Sequence, residues 1–261
     1  MSYQHVLYST RNGVAEIRLN RPDKLNALGV GPGSSRDEIA RALAQADEDG
    51  DAGAILITAA GRAFCAGGDM AGSKRPENAY DESRQVAEID SFLAAVRGTR
   101  KPIVVAVQGL CIGAALGFIA QCDLVIAADD ARFGLVEGRI GHPGASEIVP
   151  LVGTAWAKYL MLTGDLIDAE RAADIGLALV TVPATELEAR ARDLAERIAR
   201  LPRESTELNK AAINKVVEVG GRSAGRIAGR TQDVVVRAQS SLARAPDGRT
   251  FNDILEAEGV A

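Results

Sequence analysis

With 261 residues, 47% of them hydrophobic and 25% charged, the chain can bury one sizeable core and reads as a single domain with an appendage. Its formal charge of −5, with basic residues interleaved among acidic ones and never in a run, gives no sign of a polyanion-binding surface, so no nucleic-acid partner is expected. Cys65, Cys111 and Cys122 have no metal-ligand spacing and read as reduced thiols of a cytoplasmic protein, and the start MSYQHVLYSTRNG lacks a charged-then-apolar signal pattern.

Asn12-Gly13 separates Val6–Ser9 from Ala15–Leu19, in which Ala15, Ile17 and Leu19 alternate with Glu16 and Arg18; this predicts a hairpin with one wet face. Leu28–Ser35 is a glycine-rich loop whose G-x-G-x-G lacks a strand before it and a helix after it, so no dinucleotide role follows. Arg36–Asp47 places Ile39, Ala40, Leu43 and Ala46 on one helical face, and Ala54–Thr58 reads as a buried strand. The turn AFCAGGDM (Ala63–Met70) follows, then a polar, loop-like stretch over Ser73–Ser83 and a helix near Val86–Val96.

Pro102–Cys122 carries no charge, and Gly109, Gly113 and Gly117 imitate a transmembrane dimerisation face. The run nevertheless divides into a β-branched strand (Ile103–Val107), a Gln108-Gly109 turn and a short helix from about Gly113 to Gln121, each too short to span a bilayer. No membrane role is expected. Strand, turn and helix repeat once more through Leu124–Ala127, Phe133-Gly134 and a helix over Trp156–Thr163. This alternation points to an α/β core of repeated ββα units over residues 1–185 rather than a doubly wound sheet. Over 186–261 the pattern becomes helical: Thr185–Glu188 reads as a capping box opening a stripe of Leu187, Ala191, Leu194 and Ile198, followed by helices near Ser205–Val219, Gly225–Leu242 and Thr250–Glu256.

Two glycine-broken turns, AFCAGGDM and the one inside KPIVVAVQGLCIGAALGFIAQCD, can each aim a backbone N–H at one carbonyl oxygen and together form an oxyanion hole. With RPDKLNAL (Arg21–Leu28), CDLVIAADDARFGLVE (Cys122–Glu137) and LTGDLIDAERAADIGLALVTVP (Leu162–Pro183), they run in an order that resembles the enoyl-CoA hydratase/isomerase, or crotonase, family over most of the chain. The resemblance implies a crotonase-like spiral of ββα units with a helical C-terminal portion that packs on its own core and on neighbouring subunits of a homotrimer or dimer of trimers. It implies an acyl-CoA thioester substrate, with coenzyme A entering as part of that substrate, no tightly bound cofactor and no metal.

By matching motifs, the resemblance makes the amides of Gly68 and Ala114 the oxyanion donors and sets coenzyme A against Lys24, Leu25, Ala27 and Ala66. Polarising a thioester carbonyl stabilises the enolate, so that an adjacent proton becomes removable or a conjugated double bond becomes open to water. The family's hydratases carry two glutamates. Glu137 matches the second, whereas the first falls on Gly117. A single base can move a proton from one carbon to another, so enoyl-CoA isomerisation is favoured slightly over hydration, and Gly117→Glu is expected to raise water addition. For Glu137 the alternative is a capping or salt-bridging side chain beside Arg132 and Arg139.

A second departure is GHPGASEIVPLVG (Gly141–Gly153), one residue shorter before its proline than the family's usual run. His142 there reads as a titrating neighbour of Glu137 or as a loop residue, and Glu147 as a substitute acid or as a carboxylate favoured at a helix N-terminus. The scaffold also hosts thioester hydrolases, for which His142 and Ser146 are the imaginable pair without a G-x-S-x-G elbow, and a catalytically inactive acyl-CoA binder is a further alternative. Cys65 and Cys111, with no histidine near them in sequence, read as small buried hydrophobes.

Overall fold

The computed structural model describes residues 3–69, 77–140 and 144–222, with 224, 225, 229, 234, 247–249, 253 and 257 besides. The stretch 73–76, His142 and nearly all of the two last expected helices lie outside the described residues.

The chain opens with a hairpin, β1 (Val6–Arg11) against β2 (Val14–Leu19), in antiparallel register from Val6↔Leu19 to Arg11↔Val14. Its loop is Asn12-Gly13, with φ of 52° and 77°, the two left-handed positions that a tight hairpin turn demands. From β2 the sheet grows in parallel through β3 (Ala54–Ala59), β4 (Ile103–Val107), β6 (Leu124–Ala128) and β9 (Val180–Val182), giving six strands in the order β1-β2-β3-β4-β6-β9. All residues of β3 and β4 are buried, because this sheet is covered on both faces. A second sheet of three short strands, β5 (Leu110–Ile112), β7 (Arg132–Gly134) and β8 (Ile167–Asp168), stands beside it. Each repeat passes from the large sheet to the small one and then into a helix, as the ββα reading anticipates: β4 to β5 to α3 (Ala114–Ile119), and β6 to β7 to α4 (Val149–Thr163).

The main core lies on the inner face of the large sheet, where Ile55, Ile57, Ile103 and Val105 meet Phe64, Phe92 and Phe118. Phe118 stacks on Phe64 at 6.3 Å and tilts against Phe92 at 5.3 Å between centroids. Ile39, Leu43 and Ala46 of α1 (Ser35–Glu48) close it from one side, after a helix start at which the Ser34 side chain accepts from the Asp37 amide. On the outer face a second cluster joins Leu56, Val104, Ala106 and Ile126 to Leu187, Ala191 and Ala195 of α6 (Leu187–Ala199), with Leu194 and Ile198 packed at its margin. The last described helix, α7 (Arg203–Val219), is tied to the sheet through Lys210, whose Nζ lies 2.7 Å from Asp123 Oδ2 and donates to the Lys101 carbonyl at 2.9 Å.

Three expectations change. The polar stretch ending at Ser83 is not all loop: α2 (Ala79–Gly98) starts well before Val86, with the Asn78 side chain accepting from the amides of Tyr80 and Asp81. Its first turns are polar even where they are buried, as at Glu82, so their composition hides the helical period and Asn78 is the sequence signal that marks them. Thr185 does not cap α6, which is entered through a 3₁₀ turn over Ala184–Glu186 and has Glu186 at its N-cap without a side-chain cap bond. The helix expected over Trp156–Thr163 extends back to Val149, but across a break at Gly153 with φ 72° and ψ 170°, and a 3₁₀ turn over Ser146–Ile148 precedes it.

Candidate active site

The small sheet lines up three chain segments. Cys65 pairs in parallel with Cys111, and Cys111 with Phe133. Gly68 lies three residues beyond Cys65 and Ala114 three beyond Cys111, each just past these paired residues. Val136 lies three beyond Phe133, and Glu137 follows it. The segments are laced by Cys65 N–H to the Leu110 carbonyl at 2.9 Å, Ile112 N–H to the Cys65 carbonyl at 3.2 Å and Gly113 N–H to the Gly134 carbonyl at 2.8 Å.

Both candidate donors keep their N–H groups off the ladder. Leu28 donates to the Gly67 carbonyl at 2.7 Å and accepts from the Asp69 amide at 3.0 Å, which turns the N–H of Gly68 away from Leu28. Ala114 is the first residue of α3, where the opening N–H groups have no carbonyl four residues back. Among the described residues neither amide donates to a backbone carbonyl. A Cβ built on Gly67 would lie 3.4 Å from the Ala114 nitrogen, so the two turns touch, while one built on Gly68 meets nothing within 4 Å. Among the described residues, nothing occupies the space where a Gly68 side chain would stand.

Glu137 enters from a 3₁₀ turn over Val136–Ile140. It is half-buried, its Oε2 is sealed from solvent, and its carboxylate covers Gly113: a Cβ there would lie 2.1 Å from Oε1 and 2.7 Å from Cδ. Gly113 has φ 59°, so the site requires glycine twice, for conformation and for space. Arg139 donates to Asp165 Oδ1 at 3.1 Å, and Arg132 to the Ala131 carbonyl at 3.0 Å.

The expected coenzyme A contacts form the wall beside Gly68. Leu25 and Asn26 both adopt positive φ, 46° and 55°, after the 3₁₀ turn Pro22–Lys24. The Asn26 side chain holds this shape by accepting from the Arg21 amide at 2.8 Å and donating to the carbonyls of Ala60 and Ala63 at 2.9 and 3.0 Å. Ala66 N–H donates to the Leu25 carbonyl at 2.9 Å, which brings Ala66 against the Lys24–Ala27 segment. Arg21 locks both sides by donating to the Ala27 carbonyl and pairing with Asp69, each at 3.0 Å. The Lys24 side chain is exposed at the rim.

By sequence, Glu147 reads as a substitute acid or a helix-terminal carboxylate. It is 8% exposed, and its Oε2 lies 3.7 Å from where a Cβ on Gly117 would stand. Ala145 Cβ lies 3.3 Å from the same point. Ser146 is exposed, and His142, the other member of the hydrolytic pair, lies outside the described residues. Both thiols beside the turns are buried; burial pushes Cys65 up to about 12 and raises Cys111 well above its ordinary value, which removes them as nucleophiles at neutral pH.

Residues 9–239 match a family model described as enoyl-CoA hydratase/isomerase. The chain is 35% identical over 224 residues to a probable enoyl-CoA hydratase of Mycobacterium leprae, covering 84% of each chain. It is 30% identical over 221 residues to the short-chain-enoyl-CoA hydratase of Clostridium acetobutylicum, covering 82% of this chain and 83% of that one. Among solved structures, a probable enoyl-CoA hydratase from Mycobacterium smegmatis superposes with a TM-score of 0.85 at 30% identity over 94% of this chain and 99% of that one. An enoyl-CoA hydratase/isomerase from Xanthobacter autotrophicus gives 0.85 at 29% identity over 99% and 95%.

Proposed function

The chain belongs to the enoyl-CoA hydratase/isomerase family of acyl-CoA-processing enzymes, and from that footing we propose that it adds water to a 2-enoyl-CoA thioester. In this reading the amides of Gly68 and Ala114 hold the thioester oxygen while Glu137 carries the proton. The observation that carries it is the Glu137 carboxylate lying over Gly113, one residue from the Ala114 amide. An acid so placed faces the carbon next to the carbonyl that those amides polarise. Removing one such donor costs about 10²- to 10³-fold in rate, which sets the scale of the stabilisation.

The steps follow from this chain's groups. The two N–H groups stabilise negative charge on the thioester oxygen as the α-carbon becomes an enolate centre, and Glu137 exchanges a proton with that carbon. Coenzyme A runs along the Lys24–Ala27 backbone and Ala66, where the left-handed Leu25 and Asn26 hold the wall in shape. The names of the relatives favour hydration. A second reading, a shift of the double bond, draws on Gly117 standing where an acid of α3 would be, because bond migration needs only one base. We also propose a homotrimer or dimer of trimers; the exposure of Leu208, Ile213, Val216 and Val219 on α7 supports self-association.

The test supplies but-2-enoyl-CoA and a 3-enoyl-CoA separately and identifies products by mass and ultraviolet absorbance. Gain of one water supports hydration, bond migration without water supports the second reading, and free coenzyme A would replace both with hydrolysis. Glu137→Gln, similar in shape but unable to act as a base, is expected to keep the fold and lower turnover on the order of 10²- to 10⁴-fold. Unchanged turnover in that variant removes Glu137 from the mechanism.

A further inference from the structure

Water addition asks for more than a proton carrier. The attacking oxygen must be held at the β-carbon while a proton leaves it and another reaches the α-carbon, and a lone carboxylate occupied at the α-carbon does not also fix the water. Glu147 is the second carboxylate at this place. Gly113 and Gly117 stand four residues apart at the start of α3, about 6 Å of rise. Glu137 covers the first glycine and Glu147 approaches the second, each from its own 3₁₀ turn. Burying a carboxylate is costly. The nearby start of α4 offsets part of that cost through its dipole, but a carboxylate serving only the helix end would have no need to turn its oxygen towards α3.

We propose that Glu147 holds the attacking water and so decides that this site adds water rather than only moving a double bond; the proposal rests on the hydration reading above. The water oxygen bonds to the β-carbon, and the π pair of the C=C bond shifts to the α-carbon and is held as the enolate at Gly68 and Ala114. Glu137 takes one proton from the water and returns a proton to the α-carbon as the enolate collapses. Glu147 accepts a hydrogen bond from the water's other hydrogen and ends the cycle as it began. Gly117 acquires a specific use in this scheme: the absent side chain is the space into which Glu147 reaches. The expectation that Gly117→Glu raises hydration is therefore reversed, because the new carboxylate would meet Ala145 and Glu147.

Two rates on one enzyme separate the roles: hydration of but-2-enoyl-CoA, and exchange of the α-protons of butanoyl-CoA in D2O, which uses the amides and Glu137 but no attacking water. Glu147→Gln is expected to lower the ratio of hydration to exchange on the order of 10²-fold, whereas Glu137→Gln lowers both rates together. If Glu147→Gln does not fold, Glu147→Asp takes its place, with a fall of about tenfold in the same ratio expected from a water held one methylene too far away. A ratio unchanged in a folded Glu147 variant overturns the assignment and leaves the hydration reading standing. A wild-type enzyme that exchanges α-protons yet adds no water overturns both.

Discussion

Gly113 is the residue on which the site's geometry turns. It combines a left-handed φ of 59° with direct contact beneath the Glu137 carboxylate, so even one methyl group is excluded twice. Gly113→Ala is expected to cost roughly 1–2 kcal/mol in stability from the backbone conformation alone. Displacing Glu137 by about 1 Å should cost on the order of 10²-fold in turnover. Thermal unfolding and initial rates on the same preparation measure the two effects, and a variant with wild-type turnover would mean that Glu137 does not depend on this glycine. In sequence, Gly113 is one of three glycines at four-residue spacing, indistinguishable there from Gly109 and Gly117. Their separate uses emerge only from what faces them: the Arg62 carbonyl at Gly109, Glu137 at Gly113, Glu147 at Gly117.

Among the elements, α7 shows how a polar contact can carry a helix that adds little to the core. Lys210 and Asp123 form a pair whose side chains are 7% and 21% exposed. Burial pushes the Asp123 carboxyl up, and the Lys210 ammonium pulls it back. Lys210→Met strands a buried carboxylate and is expected to destabilise by about 3 kcal/mol, read as a lower urea midpoint, with part of the loss recovered by adding Asp123→Asn. The opening hairpin has its own tie to α1 in Asp49, which accepts from the hydroxyls of Thr10 at 2.7 Å and Tyr8 at 3.2 Å and from the Asp51 amide at 2.9 Å. The Thr10 hydroxyl first, and the Asp51 amide next, hold its carboxyl below the ordinary 3.8. A depressed carboxylate stabilises the fold above its unfolded value and loses that contribution as pH falls through the folded one. Asp49→Asn should therefore cost about 1 kcal/mol at pH 7, a difference that shrinks as the pH drops below 3.8 and the wild-type group protonates. Chemical denaturation across that pH range measures it, and a pH-independent difference would assign the effect to packing.

For the whole molecule, the proposed assembly predicts a light-scattering mass three or six times the 27.3 kDa chain, and a mass equal to one chain would reject it. No helix among the described residues is long and apolar enough to cross a membrane, in keeping with the division of Pro102–Cys122 into β4, β5 and α3. The alternation of short β-branched runs with helical stripes was legible in the chain itself, because a two-residue or four-residue recurrence of apolar side chains is a local property. It determined the hairpin, the buried β3, the strand β4 and the ββα order, while the glycine turns and flanking motifs in their order carried the family likeness. Register between distant strands is not local. Only the tertiary structure decided that Cys65, Cys111 and Phe133 pair, that Gly67 comes against Ala114 and that the Glu137 carboxylate lies over Gly113. Glu147 is less legible, since its neighbours in sequence describe a helix entrance while its Oε2 lies 3.7 Å from where a Cβ on Gly117 would stand, and a missing side chain leaves no mark of what approaches it.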